Sequence, residues 1–174
     1  MLDSTPTRIL LSGGDRRSIG RANEVVDLVL AQPKRIGELT ELLWDLDAVV
    51  RMRAADALEK ISRERIELLQ AYKSELLGLM AETSQQEMRW HLAVLIPRLE
   101  MTPEERRRAV GILERYLGDR SSIVKTFAIQ GLWELSLGDA ALRPKVVELV
   151  RELTRTGTPA MRARGRKLLR YIDV

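Results

Sequence analysis

The chain has 174 residues, 45% of them hydrophobic and 31% charged, with no cysteine. This is the composition of a folded globular chain, and it excludes disulfides, thiol catalysis and cysteine-ligated zinc or iron–sulfur centres. The net charge of +4 is uneven: residues 143–174 hold nine Lys/Arg against three acids, while the first 142 residues carry a net −2. Any attraction for an acidic partner therefore belongs to the C-terminal end.

In chain order, residues 1–14 contain one short apolar run, Ile9 to Leu11, and a Ser-Gly-Gly break, and read as a loosely ordered lead-in. Asp15 is placed to cap a helix over 15–32 with Ile19, Ala22, Val25, Val26 and Val29 on one face. Pro33 opens a second helix whose apolar positions are Ile36, Leu39, Leu42, Leu43 and Leu46. An acidic turn, Asp45 to Asp47, leads into a helix over about 50–61, and Ser62 starts another with Ile66, Leu69, Leu76, Leu77 and Met80 inward. Thr83 to Gln86 turns into a helix interrupted by Pro97, which should kink or end it. Thr102-Pro-Glu-Glu105 has the pattern of a capping box with proline at the first helical position. Gly118 to Ser122, Leu137 to Asp139 and Gly157 to Pro159 are the remaining turns, and Pro144 falls in the first turn of its helix. No segment alternates as a strand. No basic-then-apolar leader opens the chain and no apolar run is long enough to cross a bilayer, so a cytoplasmic protein is expected.

Four segments repeat one pattern at intervals of 36 to 38 residues: Val50–Ile61, Met88–Leu99, Val124–Leu135 and Met161–Ile172. Self-similarity at such a period is the signature of a helical repeat array. Each unit is an outer helix, a turn and an inner helix, and such pairs bury their apolar stripes by stacking on neighbours. The inner helix, with an aliphatic residue, then Arg, then Ala-Ala-x-Ala-Leu in Val50-Arg51 and Ala54–Leu58, resembles the HEAT/armadillo-like class. In HEAT units an Asp often stands six residues before that Arg. Asp45 and Asp119 stand so before Arg51 and Lys125, while Thr83 and Thr156 take the place in the other two copies. The resemblance covers residues 33–174. It implies an all-α fold, a right-handed α-α superhelix of about four helix pairs plus an N-terminal cap helix. One repeat domain over 1–174 would be divided as 1–14, 15–32, 33–62, 63–100, 102–137 and 138–174. Function does not follow from such a fold.

Stacking the copies separates core from surface. Columns such as Val50/Met88/Val124/Met161 and Ala57/Leu95/Gly131/Leu168 are apolar or small and recur at helical spacing. The column Ala55/Ala93/Ile129/Arg166 breaks at its last member, as a terminal cap facing water would require. The basic column Arg51/Arg89/Lys125/Arg162 reads first as an internal ladder to turn carboxylates and helix ends. Four further columns should line a concave surface: Met52/Trp90/Thr126/Ala163, Arg53/His91/Phe127/Arg164, Asp56/Val94/Gln130/Lys167 and Glu59/Pro97/Trp133/Arg170. The chain has three Trp and one Phe, and Trp90, Phe127 and Trp133 fall in these columns. The bland reading is that neighbouring helices cover them; the sharper one is an exposed aromatic strip that anchors a partner.

The expected partner site is therefore Trp90, His91, Val94, Phe127 and Trp133, with Arg53 and Arg164 setting register. Arg162, Arg164, Arg166, Lys167 and Arg170 would contact phosphates or an acidic partner, or be a solvated cap. His91 is the only histidine and has no partners for a triad or metal site. Ser12-Gly-Gly14 is too short for a phosphate loop, and no Walker or dinucleotide fingerprint occurs. No cofactor, metal, membrane or small-molecule substrate is expected. The function read from these residues is a non-enzymatic protein- or peptide-binding scaffold. The alternative is a nucleic-acid-binding protein that uses the basic C-terminal repeat. A DNA glycosylase-like enzyme stands further back, since Asp56 is the lone inner-helix Asp in a surface column.

Overall fold

A computed structural model describes residues 6–172. Among them are ten α-helices and no strand. The helices are α1 (Thr7–Leu11), α2 (Ala22–Ala31), α3 (Ile36–Glu41), α4 (Ala48–Glu64), α5 (Lys73–Glu82), α6 (Gln86–Leu95), α7 (Pro103–Tyr116), α8 (Ser122–Ser136), α9 (Arg143–Thr156) and α10 (Pro159–Leu169). Short 3-10 segments flank α3, precede α5 and follow α6. The contacts divide the chain into two compact units, Met1–Gly78 and Leu79–Val174.

The first unit is built around α4, which touches α1, α2 and α3. Asp47 starts it by accepting the Val49 N–H at 2.8 Å. Every residue from Met52 to Glu59 is buried, including Arg53, Asp56 and Glu59. Charge at such positions must be matched. Lys60 lies 2.6 Å from the Asp56 carboxylate, and Arg63 holds Glu59 through two bonds of 2.6 and 3.0 Å. Arg53 is matched by main chain instead. Its guanidinium donates to the carbonyls of Leu11, Ser12, Gly13, Asp15 and Ser18 at 2.7 to 3.3 Å.

That clamp overturns the expected N-terminus. Residues 7–11 form α1 with Leu10 and Leu11 buried, so the segment after residue 6 is packed; residues 1–5 of the lead-in lie outside the described residues. The expected cap helix begins at Ala22, because the carbonyls of residues 11–18 turn to Arg53 in place of a helical ladder. Asp15 accepts the Arg17 N–H, and Ile19 is 40% exposed. The helix expected from Pro33 is broken into 3-10, α and 3-10 turns, and Leu46, expected inward, is 99% exposed. The outer helix expected from Ser62 begins later, since α4 runs on to Glu64.

In the second unit α8 touches α6, α7, α9 and α10, and α10 also packs on α9. Helices α6, α8 and α10 thus lie in contact series, α7 touches α8, and α9 touches α8 and α10. Small residues allow this. A Cβ on Gly131 of α8 would collide with the carbonyl oxygen of Ala93 on α6 and press on Leu113 of α7. A Cβ on Gly165 of α10 would collide with the Thr154 hydroxyl of α9. The expected apolar columns are buried here, save that Leu169 and Ile172 are half-exposed and α10 ends at Leu169. Thr102 and Glu105 form the capping box, and Pro97 ends α6 at Leu95 in a 3-10 turn.

The first two members of the basic column fold back on their own turns, while Arg162 is exposed. Arg51 donates to the Asp45 carbonyl at 2.7 Å, and Arg89 to the Thr83 carbonyl at 2.8 Å, each across six residues. Because the acceptor is a carbonyl, Thr83 serves where Asp45 does. Arg89 also pairs with the Asp119 carboxylate at 2.5 Å. Burial pushes the Asp119 carboxyl up, but the Ser121 N–H and Arg89 outweigh it and hold the group below its ordinary value. A depressed carboxyl stabilises the fold above the unfolded-state value, and that contribution is lost as pH falls through the folded-state value. Wild type should therefore exceed Asp119→Asn in urea midpoint at pH 7. The difference should shrink on acidification below about pH 4; a difference unchanged by pH would contradict the assignment.

Candidate functional site

The accessible stripe of α8 is Ile123, Phe127, Gln130 and Glu134, spaced three to four residues apart. Phe127 is half-buried. Arg164 of α10 lies over its ring at 5.4 Å and donates to the Gln130 side chain at 2.9 Å. Gln130 in turn donates to Glu134 at 2.6 Å. Arg164, Gln130 and Glu134 thus form a hydrogen-bonded chain across two stacked helices, fixing the Arg164 head beside Phe127. On α6, Trp90 and His91 are half-buried, with ring centroids 5.7 Å apart and planes tilted by 55°. Trp90, His91, Phe127 and Arg164 therefore reach the surface of α6, α8 and α10, three segments in contact series.

The other expected anchors do not. Trp133 is 3% exposed, because Arg143 from α9 lays its guanidinium 3.8 Å over the indole and bonds the Ser136 hydroxyl at 3.0 Å. Val94 is 6% exposed, in a stretch of α6 buried from Leu92 to Leu95. Arg53, 3% exposed, is spent on the loop carbonyls. These three placements correct the concave columns: an aromatic side chain beside an arginine stem, a helix end enclosed on all sides and a guanidinium with carbonyl partners all leave the surface. Arg143 and Gln130 are the residues that spacing alone missed. Both act across helix pairs, and only Gln130 carried a signal, its place in a surface column.

Along α10, Arg162, Arg166, Lys167 and Arg170 are exposed, and among the described residues none of them pairs with a carboxylate. The helix from Pro159 to Leu169 contains no acid, so Arg162, Arg166 and Lys167 have no i,i+3 or i,i+4 partner. Arg166 faces water as its broken column implied. A separate open groove of about 580 Å³ lies between α7 and the turn at Gly138–Leu142, lined by Met101, Val110 and Leu142 with Arg106, Arg107 and Asp139. Arg106 is engaged there, donating to the Leu135 carbonyl at 2.8 Å. Among the described residues no group of three His, Asp or Glu side chains is arranged to hold a metal, and no helix is long and apolar enough to cross a membrane.

No family model, curated protein or solved structure matches the chain.

The three indoles are graded in exposure: Trp44 is 51% exposed, Trp90 intermediate and Trp133 3% exposed. In single-tryptophan proteins made by Trp→Phe substitution, iodide should quench Trp44 most, Trp90 partly and Trp133 scarcely. Strong quenching of Trp133 would contradict the Arg143 cover.

Proposed function

We propose that the chain is a HEAT-like repeat protein of the cytoplasm, and a non-enzymatic scaffold that binds an acidic segment of a partner protein. The site is the accessible face of α6, α8 and α10. Trp90 and Phe127 supply flat apolar area at low entropic cost, and Arg164 is already positioned beside Phe127. The observation that carries the reading is the juxtaposition of this fixed arginine–aromatic pair with the unmatched cations of α10. An aromatic or aliphatic side chain of the partner would seat against Phe127, and its carboxylates would face Arg162 and Lys167. Charge of this kind speeds encounter and sets register more than it adds affinity.

The same cations are the basis of the nucleic-acid reading. Along α10 itself no aromatic interleaves with them for base stacking, and Tyr171, 68% exposed, lies beyond its end. The two readings separate in one experiment. Panning a displayed peptide library against the protein should enrich segments that combine an apolar anchor with Asp or Glu. Phe127→Ala should weaken their binding by about 1–3 kcal/mol, and Arg162→Glu with Lys167→Glu should abolish most of the remainder. No enrichment, together with duplex DNA binding that falls steeply with salt, would overturn the scaffold reading in favour of nucleic acid.

A further inference from the structure

We propose that the outward face of α7 is an interface between two copies of the chain, joined antiparallel about a two-fold axis at Val110 and Gly111. The inward face of α7 is Ala109, Ile112, Leu113 and Tyr116, all buried. On the other face Arg107, the Val110–Gly111 pair and Glu114 follow one another at three to four residues, so they form one stripe. This stripe is a wall of the groove of about 580 Å³ that faces the turn at Gly138–Leu142. The apolar lining, Met101, Val110 and Leu142, is only half-buried. Gly111 sits inside a helix without a positive φ, and a Cβ there would meet no atom within 4 Å. Neither backbone conformation nor packing within the chain calls for glycine, and glycine weakens a helix relative to alanine. What it does provide is a helix backbone open to close approach from outside.

The charges of the groove say what approaches. Asp139 is engaged by the amides of Ala141 and Leu142 at 3.0 and 2.9 Å, and Arg106 donates to the Leu135 carbonyl at 2.8 Å. Arg107 and Glu114 are exposed, and among the described residues their side chains bond to nothing. They carry opposite signs at the two ends of the stripe, seven residues or about 10 Å apart along the axis. A second α7 laid antiparallel reverses that order. Arg107 of each copy then faces Glu114 of the other, and Val110 of each faces Gly111 of the other at the centre. A parallel pair would set Arg107 on Arg107 and Glu114 on Glu114. Complementarity of a patch to its own reversal is what a two-fold interface requires. The antiparallel arrangement also withdraws the groove's apolar lining from water in both copies. One helix and one turn per copy make a small contact, so the dimer is a weak one. None of the residues proposed to hold a peptide on α6, α8 and α10 lines this groove, and the two surfaces are independent.

The test is sedimentation equilibrium of the full chain at low ionic strength. Wild type should show a monomer–dimer equilibrium with a Kd of about 1–100 µM. Arg107→Glu opposes two acids at each end of the interface and Glu114→Arg opposes two cations, so each variant alone should dimerise at least about tenfold more weakly. Both positions are exposed, and the thermal midpoints should hold. Mixed in equal amounts, the two variants should pair with each other about as well as wild type pairs with itself, because every end then carries opposite charges. Gly111→Leu should also abolish the dimer while the monomer stays folded, since its side chain enters open space in the monomer and the crossing point in the dimer. The proposal is overturned if wild type is monomeric up to about 500 µM. It is overturned equally if either charge variant or Gly111→Leu dimerises as wild type does, or if the mixed charge variants, both folded, fail to pair.

Discussion

Arginine bound to main-chain carbonyls is the interaction on which both units depend. Helix ends and turns leave carbonyls without partners, and a guanidinium offers five donors in a planar fork. Arg53 gathers five carbonyls of the N-terminal loop onto α4. Arg51 and Arg89 close the turns that precede their own helices. Arg106 reaches from α7 to the last turn of α8, and Arg143 covers Trp133 while bonding Ser136. These bonds satisfy acceptors that would otherwise lose water on burial without replacement, a cost of about 1–3 kcal/mol each.

This use of arginine also sorts the basic residues. Those that tie backbone are half-buried or buried. Those exposed on α10 pair with no carboxylate among the described residues and remain as surface charge. The proposed partner site draws on the exposed cations of α10. Arg164 belongs between the classes, since its bond to Gln130 fixes its head without burying it.

Much of the helical order was legible in the sequence because it rests on local rules. Thr102 with Glu105 is a capping box read from spacing, Pro97 ends α6 by lacking an N–H, and small residues recur where helices meet. The loop of residues 12–20 was not legible, because its order comes from Arg53, some forty residues away. The failure at Trp133 has the same form: its cover comes from Arg143 on another helix, and a repeat column records only what a position faces within its own unit. Four of the seven expected contact residues stay accessible, two of them, Phe127 and Arg164, for the converse reason. Phe127 and Arg164 occupy one column on adjacent stacked helices, so the pattern that put them together in sequence also put them together in space. The breaks in the segment after Pro33 left no mark that periodicity could catch, since 3-10 and α turns share nearly the same apolar spacing.

Replacing Arg53 by lysine tests most directly whether carbonyl binding by a guanidinium organises the first unit. Lysine keeps the charge but offers three donors on a compact head, too few and too close together for five dispersed carbonyls. Native-state hydrogen exchange on Arg53→Lys should show lost protection in α1 and at the start of α2, together with a urea midpoint lowered by the equivalent of about 2–4 kcal/mol. Wild-type exchange across residues 7–25 and an unchanged midpoint would contradict the account, because charge alone would then suffice to hold the loop.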